Sequence, residues 1–330
     1  MANEQIRLAI IGCGHISRSY LQACQQLPQI VLVAVCDVNP DAARSVSETY
    51  HCHWYTSYHD LLAYEHLDAA VVCTPPVTHF PIALDMINAG VNVLCEKPFT
   101  TTLHDALKLE QAAKVKKKLL MMSSKFRFVE DVINAKDIIA SGVLGDIVLY
   151  ENVFCSKVSM VGRWNSVRAV SGGGVLIDNG SHAVDIARYL LGPIVAVQAQ
   201  FGKQVQPIEV EDTARLCFRT ASGTLGIVDL SWSIHKGIDS YISIFGTKGV
   251  LTVGWKESRY RQYEKIDWVR FGKGYDKQEA FTRQLQHFVD CLLGKDRPLM
   301  TLHDAVESVR IIEIAYKSAE LSKWLNVDEG

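Results

Sequence analysis

The feature that most constrains this chain is a glycine turn between two apolar segments. An apolar run at residues 8–11 leads directly into the motif G-C-G-H-I-S at residues 12–17. A helical stretch at residues 16–27 follows, and a second apolar run at residues 31–35 ends at Asp37. This order of strand, glycine turn, helix, strand and acid predicts a βαβ unit of the kind that holds a dinucleotide.

Each part of the turn has an expected role. Gly12 permits the tight turn, and Gly14 lets the backbone approach a pyrophosphate because no Cβ is in the way. The helix that starts near His15 and Ile16 is expected to offer its free N–H groups and its positive dipole end to the phosphates. Ser17 stands where a third glycine or alanine would ease helix–strand packing, and its small side chain keeps that packing possible.

The acid at residue 37 favours NAD over NADP. Asp37 lies about twenty residues beyond the turn, where a carboxylate accepts hydrogen bonds from an adenosine ribose. A carboxylate repels a 2′-phosphate, and the segment V-N-P at residues 38–40 supplies no cation to hold one. Arg44 lies too far along the next helix to supply that cation. We therefore expect NAD as the cofactor.

Residues up to 124 continue to alternate strands with helices. Further strands are predicted at residues 53–55, 68–74, 91–95 and 119–122, separated by helices at 40–50, 58–64, 80–89 and 101–115. Alternation at this spacing predicts right-handed βαβ units. Residues 1–124 are therefore expected to form an N-terminal, doubly wound parallel sheet of the Rossmann type.

The pattern changes after residue 124. Strands are predicted at residues 146–157, 194–201, 213–220, 224–233, 241–245 and 250–255, with hairpin turns at 221–223 and 246–249. Helices are predicted at residues 129–141, 175–191, 278–293 and 301–324. Runs of strands without intervening helices predict an α+β domain at residues 125–330 with a large, mostly antiparallel open sheet.

Composition narrows the class of protein. The chain has 330 residues with a net charge of −2, so no basic field draws it to nucleic acid or membrane. No apolar run is long enough to span a bilayer and no signal peptide is recognisable, so we expect a cytoplasmic protein. The 9 cysteines are scattered singly without a C-x-x-C pair, so neither a metal site nor a redox couple is expected.

Three further motifs carry chemistry. They read T-P-P-V-T-H at residues 74–79, E-K-P at residues 96–98, and G-G-G-V-L-I-D-N-G-S-H-A-V-D at residues 172–185. The first two close predicted parallel strands, and open α/β sheets bind ligands beyond the carboxyl ends of their strands. In the third motif, Asp178 and His182 are spaced i, i+4 on one helical face, so both can meet the same ligand.

With the glycine turn, these motifs resemble the glucose-fructose oxidoreductase / inositol 2-dehydrogenase family (Gfo/Idh/MocA), and the resemblance covers nearly the whole chain. It implies a Rossmann domain followed by a domain with a large open sheet, which often serves to oligomerise, so a homodimer or homotetramer is expected. It also implies hydride transfer between nicotinamide C4 and a hydroxyl-bearing carbon of a sugar, sugar derivative or inositol.

The resemblance also implies site residues. Lys97 corresponds to the family's catalytic lysine, which also lines the cofactor pocket, and Asp178 and His182 correspond to its acid–histidine pair. A histidine has a pKa suited to accepting the hydroxyl proton, and a lysine can stabilise alkoxide character on the reacting oxygen. Asp178 would orient the substrate or stabilise His182 as it charges. The bond between Lys97 and Pro98 is expected to be cis.

The remaining cofactor-pocket residues follow from their place at strand ends. Thr74, Pro75 and Pro76 are expected to shape the nicotinamide pocket through backbone contacts. His79 is expected to be a structural or cofactor-pocket residue rather than an acid–base group. Glu96 is expected to contact the nicotinamide ribose or to hold the lysine beside it.

Three residues are candidates for substrate binding, each with a structural alternative. Lys125 and Arg127 follow the strand at residues 119–122 and could bind substrate, but a structural ion pair fits them equally well. Trp164 could cover the nicotinamide or a sugar face, and core packing is the alternative.

Two other functions stay open on the same fold. One is a non-enzymatic, dinucleotide-sensing regulator, although the intact Lys97, Asp178 and His182 argue against it. The other is an NAD-dependent glycosidase-type enzyme, whose cycle starts with an oxidation and produces no net NADH. The sequence does not name the substrate.

Overall fold

The computed structural model describes residues 5–329 of the chain. The chain divides into two compact units. The first comprises Met1–Lys125 and Gln278–Glu307, and the second comprises Phe126–Lys277 and Ser308–Gly330.

The first unit contains a six-stranded parallel sheet. Its strands are β1 (Ile6–Ile11), β2 (Ile30–Cys36), β3 (His53–Tyr55), β4 (Ala69–Val72), β5 (Asn92–Cys95) and β6 (Leu120–Met122). They lie in the order β3-β2-β1-β4-β5-β6, and every neighbouring pair is parallel. This confirms the predicted doubly wound sheet. The order reverses between β1 and β4, which is where sheets of this kind bind ligands.

Helices connect these strands. They are α1 (Ser17–Gln26), α2 (Pro40–Tyr50), α3 (Tyr58–Tyr64), α4 (His79–Asn88) and α5 (Leu103–Lys116). Three of them begin at a polar cap, because the side chains of Asn39, Ser57 and Thr102 accept backbone N–H groups of α2, α3 and α5. The helix starts in this unit are therefore set largely by local sequence.

The second unit contains a nine-stranded mixed sheet. Its strands are β7 (Ile147–Cys155), β8 (Ile194–Phe201), β9 (Thr213–Thr220), β10 (Leu225–Ser231), β11 (Ser240–Gly246), β12 (Gly249–Gly254), β13 (Ser258–Gln262), β14 (Val269–Gly272) and β15 (Leu325–Asn326). They lie in the order β14-β13-β12-β11-β7-β10-β9-β8-β15. Only β7 and β10, among the described strands of this sheet, pair in parallel. The predicted large, mostly antiparallel sheet is confirmed.

Strands β13, β14 and β15 were not predicted from the sequence. β13 carries arginines rather than a run of apolar residues, and the guanidinium groups of Arg259 and Arg261 lie 4.7 and 5.4 Å from the ring centroid of Trp268. Cation–π contacts of this kind leave no period-two apolar pattern in the sequence.

Three helices of the second unit lie between residues 130 and 191. They are α6 (Glu130–Ala140), α7 (Arg168–Ser171) and α8 (Val175–Leu191). α8 packs on β7, β9 and β10, and α6 packs on α8, β12 and β14. The buried face of α8 includes Leu176, Val184 and Ile186, so the helix is anchored by apolar contacts along most of its length.

The last two helices are α9 (Lys277–Leu292) and α10 (Leu302–Leu321). The segment Gln278–Glu307 belongs to the first unit, whereas the predicted domain at residues 125–330 included it. The reason is that α9 bonds to α1: Gln278 Nε2 donates to the Ser19 carbonyl at 3.0 Å, and Gln284 Nε2 donates to the Tyr20 hydroxyl at 3.0 Å. Within residues 5–329, no helix combines the length and the apolar character needed to cross a membrane.

Candidate functional site

The glycine turn of the first unit joins β1 to α1. Gly12 has φ +97°, and a Cβ on it would lie 2.8 Å from the carbonyl carbon of Cys73, so only glycine fits. Gly14 differs, because a Cβ there would meet no protein atom within 4 Å. The fold itself therefore requires Gly12, whereas the space beside Gly14 is open and leaves room for a ligand. These residues fit a bound dinucleotide.

The start of α1 is not capped by a side chain. The helix has no side-chain hydrogen bond at its N-cap, Ile16, and no acidic residue in its first turn. Gly14 and His15 are exposed. Ser17 is fully buried and its hydroxyl donates to the Gly14 carbonyl at 2.7 Å, which closes the turn. The first-turn N–H groups can thus serve an anion, in contrast to those of the capped helices.

Asp37 lies beside the turn at the end of β2. Its carboxylate accepts the backbone N–H of Cys13 at 2.7 Å on one oxygen and that of Asn39 at 2.8 Å on the other. Each oxygen keeps a second acceptor position, which a ribose hydroxyl could use. Arg44 stacks on Trp54, 5.4 Å from the ring centroid. The acid is thus fixed against the turn, and Arg44 is engaged elsewhere.

His79 connects two of the sequence motifs. It is fully buried at the start of α4, with Nε2 at 2.8 Å from the Thr74 carbonyl oxygen and Nδ1 at 2.8 Å from the Pro98 carbonyl oxygen. Burial lowers the pKa of His79, although the two carbonyl groups oppose that effect. His79 therefore ties the T-P-P loop after β4 to the E-K-P turn after β5. Thr78 Oγ1 also donates to Thr74 Oγ1 at 2.8 Å.

The E-K-P turn follows β5 directly. The bond between Lys97 and Pro98 is cis, as the resemblance implied. Glu96 is 6% exposed, and the backbone N–H of Lys97 donates to its Oε2 at 3.1 Å. Its other oxygen, Oε1, accepts the Tyr20 hydroxyl at 2.7 Å and the Ser123 hydroxyl at 2.8 Å. The structure thus surrounds Glu96 with protein donors, of which only Lys97 was foreseen from the sequence.

Asp178 and His182 belong to the second unit. Both lie on α8, half-buried and one helical turn apart. The imidazole of His182 packs edge-on against Phe126, with ring centroids 5.1 Å apart. Phe126 in turn stacks on Phe154 and Tyr275. An aromatic cluster therefore supports one side of the histidine ring.

Sequence reasoning missed the residue that holds the start of α8. Glu211 Oε1 accepts the backbone N–H groups of Gly174 and Leu176 at 3.0 and 3.1 Å, together with the Tyr316 hydroxyl at 2.6 Å. A Cβ on Gly174 would collide with the Glu211 backbone, so this glycine allows the close approach. A buried anion at a helix N-terminus also complements the helix dipole. No periodicity marks such a residue; its only sequence signal is an acid beside a predicted strand.

The three candidate substrate residues have different settings. Arg127 is buried and donates to Asp185 Oδ1 from Nε at 2.9 Å and from Nη2 at 2.7 Å, so it forms a structural ion pair within the second unit. Lys125 is half-buried in the first unit, with Nζ 5.6 Å from the ring centroid of Phe281. Trp164 is 44% exposed, which does not fit the core-packing alternative.

All nine cysteines are free, and burial raises the pKa of the Cys13 thiol in the glycine turn to about 12, so it stays protonated at neutral pH. Among residues 5–329, no group of three or more His, Cys, Asp or Glu side chains is arranged to hold a metal ion.

Two family models match this chain. The model described as an oxidoreductase family with an NAD-binding Rossmann fold (GFO_IDH_MocA) matches residues 6–124. The model described as the GFO/IDH/MocA C-terminal domain matches residues 132–252. Together they cover well over half of the 330 residues.

Individual proteins are also similar. An uncharacterised oxidoreductase of Schizosaccharomyces pombe is 35% identical over 202 residues, which is 59% of this chain and 54% of that protein. The myo-inositol 2-dehydrogenase of Thermotoga maritima is 25% identical over 98% of this chain and 99% of its own length. The crystal structure of GenD2 from gentamicin A biosynthesis, in complex with NAD, has a TM-score of 0.87 and 27% identity over 98% of this chain and 96% of that one.

Proposed function

The chain belongs to the GFO/IDH/MocA oxidoreductase family, and we propose that it is an NAD-dependent dehydrogenase that oxidises a secondary alcohol of a sugar, a sugar derivative or an inositol. The observation that carries the proposal is the position of Lys97. It follows β5 of the sheet that also holds the glycine turn, next to the buried carboxylate of Glu96. The myo-inositol 2-dehydrogenase that matches nearly the full chain supports the substrate class.

The cofactor is held by the first unit in this proposal. The open space at Gly14, the uncapped start of α1 and the carboxylate of Asp37 would bind the pyrophosphate and the adenosine ribose. The engagement of Arg44 with Trp54 supports NAD rather than NADP. Bound NAD supplies a hydride acceptor at nicotinamide C4.

The proton chemistry is assigned to side chains of this protein. A ring nitrogen of His182 would take the proton of the reacting hydroxyl, while the C–H bond breaks and its electron pair leaves with the hydrogen as hydride. The carbon and oxygen then form a carbonyl group. The ammonium of Lys97 would donate a hydrogen bond to that oxygen as negative charge develops on it. Asp178 would orient the substrate or stabilise the imidazolium of His182.

The other predicted residues receive more limited roles. We propose that Thr74, Pro75 and Pro76 contact the nicotinamide through their backbone, with His79 fixing their loop. For Arg127 we propose the structural role that the sequence left open, because its guanidinium is buried against Asp185. Lys125 and Trp164 remain candidates for substrate contact in the proposal.

The subunit arrangement is part of the same proposal. Leu149 of β7 pairs with Leu225 of β10, and these side chains are 45 and 49% exposed, with Ile227 40% exposed nearby. Exposed leucines on adjacent central strands indicate a face that another subunit covers. We propose a homodimer or homotetramer that buries this face. Light scattering of the wild type and of a Leu149→Glu, Leu225→Glu variant tests it; a monomeric wild type contradicts it.

The function is tested by following NADH formation. Purified protein is mixed with NAD and a panel of inositols, free sugars, nucleotide sugars and glycosides, with NADP in a parallel series. We expect NADH formation with one chemical class and a clear preference for NAD. Binding of NADH without turnover of any substrate would favour the regulator. Cleavage of a glycoside without net NADH would favour the glycosidase-type cycle.

A further inference from the structure

A buried hydrogen-bond network lies beneath the E-K-P turn of the first unit. It consists of four polar side chains, none more than 6% exposed: Tyr20, Glu96, Ser123 and Gln284. They come from four different segments, namely α1, the end of β5, the end of β6 and α9. Buried polar groups are costly unless each finds a partner, so their hydrogen bonds can be counted in full.

The hydrogen bonds link all four side chains, and the Tyr20 hydroxyl also lies 2.8 Å from the Ser123 hydroxyl oxygen. The two N–H groups of the Gln284 amide donate to the Tyr20 and Ser123 hydroxyl oxygens, each at 3.0 Å. Its carbonyl oxygen accepts the backbone N–H of Ser124 at 2.7 Å. Both hydroxyl groups, already acceptors, then donate to Glu96 Oε1. The amide thus orients the hydroxyls, and the hydroxyls orient the carboxylate.

The hydroxyl neighbours of Glu96 in the network act on its carboxylate as donors. A carboxylate accepts hydrogen bonds only, and here every neighbour in the network is a donor to it. Tyr20 remains a donor because burial, and then the charge of Glu96, raise its pKa well above the ordinary tyrosine value. With Oε1 saturated by two hydroxyls, Oε2 is turned toward the backbone N–H of Lys97.

We propose that Tyr20, Ser123 and Gln284 are positioning residues, which act through the carboxylate of Glu96 to fix the backbone of Lys97. This inference rests on the proposed dehydrogenase function. None of the three would touch the substrate. Their effect is to keep the lysine at one position relative to the sheet, and a displacement of about an ångström in such a group can cost about a hundredfold in rate.

Few charged or titratable groups near Glu96 could replace a lost hydrogen-bond donor. The groups that interact with Glu96 are Tyr20 of α1, Cys73 after β4, His79 of α4, Cys95 of β5 and Lys97. Burial lowers the pKa of His79, so this imidazole is neutral at pH 7. Removing a hydroxyl donor should therefore leave Oε1 of Glu96 with one partner fewer, so that the carboxylate can turn away from the Lys97 N–H.

The test is Tyr20→Phe, measured in steady-state kinetics. We expect kcat to fall about tenfold, which corresponds to about 1.4 kcal/mol. The NADH dissociation constant, from fluorescence titration, should change by less than about threefold, since one hydroxyl below the turn is lost and the phosphate-facing backbone is intact. Ser123→Ala should act in the same direction and serves if Tyr20→Phe does not fold.

A matched control is Tyr150→Phe. Tyr150 is also buried, but within residues 5–329 its hydroxyl has no hydrogen-bond partner, so the same change should leave kinetics as in the wild type. In a Glu96→Gln background, Tyr20→Phe should lose its effect and change kcat by less than about twofold, because the residue it acts through is already altered.

Three results would overturn the inference. They are identical behaviour of Tyr20→Phe and Tyr150→Phe, an undiminished effect of Tyr20→Phe in the Glu96→Gln background, or a loss of NADH affinity as large as the loss of kcat. These outcomes are separate from failure of the proposed function. In that case the wild type would form no NADH with any substrate of the panel.

Discussion

The two units each contain a buried glutamate that accepts a tyrosine hydroxyl, but the two carboxylates hold different things. In the first unit Glu96 accepts Tyr20 and bonds the backbone of the adjacent Lys97. In the second unit Glu211 accepts Tyr316 and bonds backbone N–H groups at the start of α8. The first glutamate sits next to the residue it positions, whereas the second holds the helix that carries Asp178 and His182.

The difference bears on how each unit responds to mutation. Loss of a donor to Glu96 would change the direction of a single turn, because the parallel sheet around it stays packed. Loss of a donor to Glu211 would weaken the anchoring of a whole helix start, where the buried carboxylate also complements the helix dipole. We therefore expect catalytic effects to dominate in the first unit and stability effects to dominate at Glu211.

The largest effect is expected for Lys97→Ala. Loss of the ammonium removes the donor to the developing alkoxide, and kcat should fall by about a thousandfold. NADH affinity should change by less than about threefold, because the glycine turn and Asp37 are untouched. Lys116→Ala, an exposed lysine of α5, is the control and should behave as the wild type. Turnover above a tenth of the wild-type value would remove Lys97 from the chemistry.

His182→Asn tests the second unit and should lower kcat about a hundredfold. The variant loses the proton acceptor, while its smaller amide leaves α8 in place. His104→Asn on the exposed face of α5 is the matched control. If both variants retain full activity, the assigned base is wrong.

Tyr316→Phe should distinguish the role of Glu211 from that of Glu96 most clearly. It removes a hydrogen bond to a buried carboxylate, which is worth about 1.5–3 kcal/mol, so the urea unfolding midpoint should fall measurably. Its kcat should change by only about twofold, in contrast to the tenfold loss for Tyr20→Phe. Tyr150→Phe again provides the comparison without a hydrogen bond. A large loss of turnover at unchanged stability would contradict the division of roles.

The smallest effect concerns pH. Burial lowers the pKa of His79 in the folded protein, so this imidazole binds a proton more readily in the unfolded chain than in the folded one. The free energy of unfolding therefore falls as the pH drops below about 6.5, the ordinary histidine value. In the second unit, burial opposes ionisation of Asp212, but hydrogen bonds from the N–H groups of Gln206 and Val205 outweigh it and lower its pKa. That contribution is lost only below the ordinary aspartate value of about 3.9.

Thermal unfolding between pH 7 and pH 5 should therefore report His79 and not Asp212. Each pH unit in that window costs at most about 1.4 kcal/mol for a single titrating group. His79→Asn should flatten this part of the stability profile, and Asp212→Asn should leave its slope unchanged. The reverse pattern would show that the acid sensitivity lies in the second unit.

Much of the fold could be predicted from the sequence because its signals are local. Gly12, with φ +97°, occupies a backbone conformation that favours glycine, and the helix caps at Asn39, Ser57 and Thr102 act on residues two or three positions away. The periodicity of apolar residues and the spacing of the segments also predicted the six parallel strands and the helix at residues 175–191. The strands β13 to β15 are short and contain at most two apolar residues each, and they were missed.

The sequence by itself determined the order of elements, the glycine turn and the identity of the residues at the strand ends. Only the tertiary structure decided that Arg127 pairs with Asp185, that Gln284 lies beneath Glu96, and that Glu211 holds the start of α8. Each of these contacts joins residues far apart in the chain. The partner of a buried polar group is whichever donor or acceptor the tertiary packing brings within hydrogen-bond distance. Neither the periodicity nor the helix and strand propensities of the sequence contain that information.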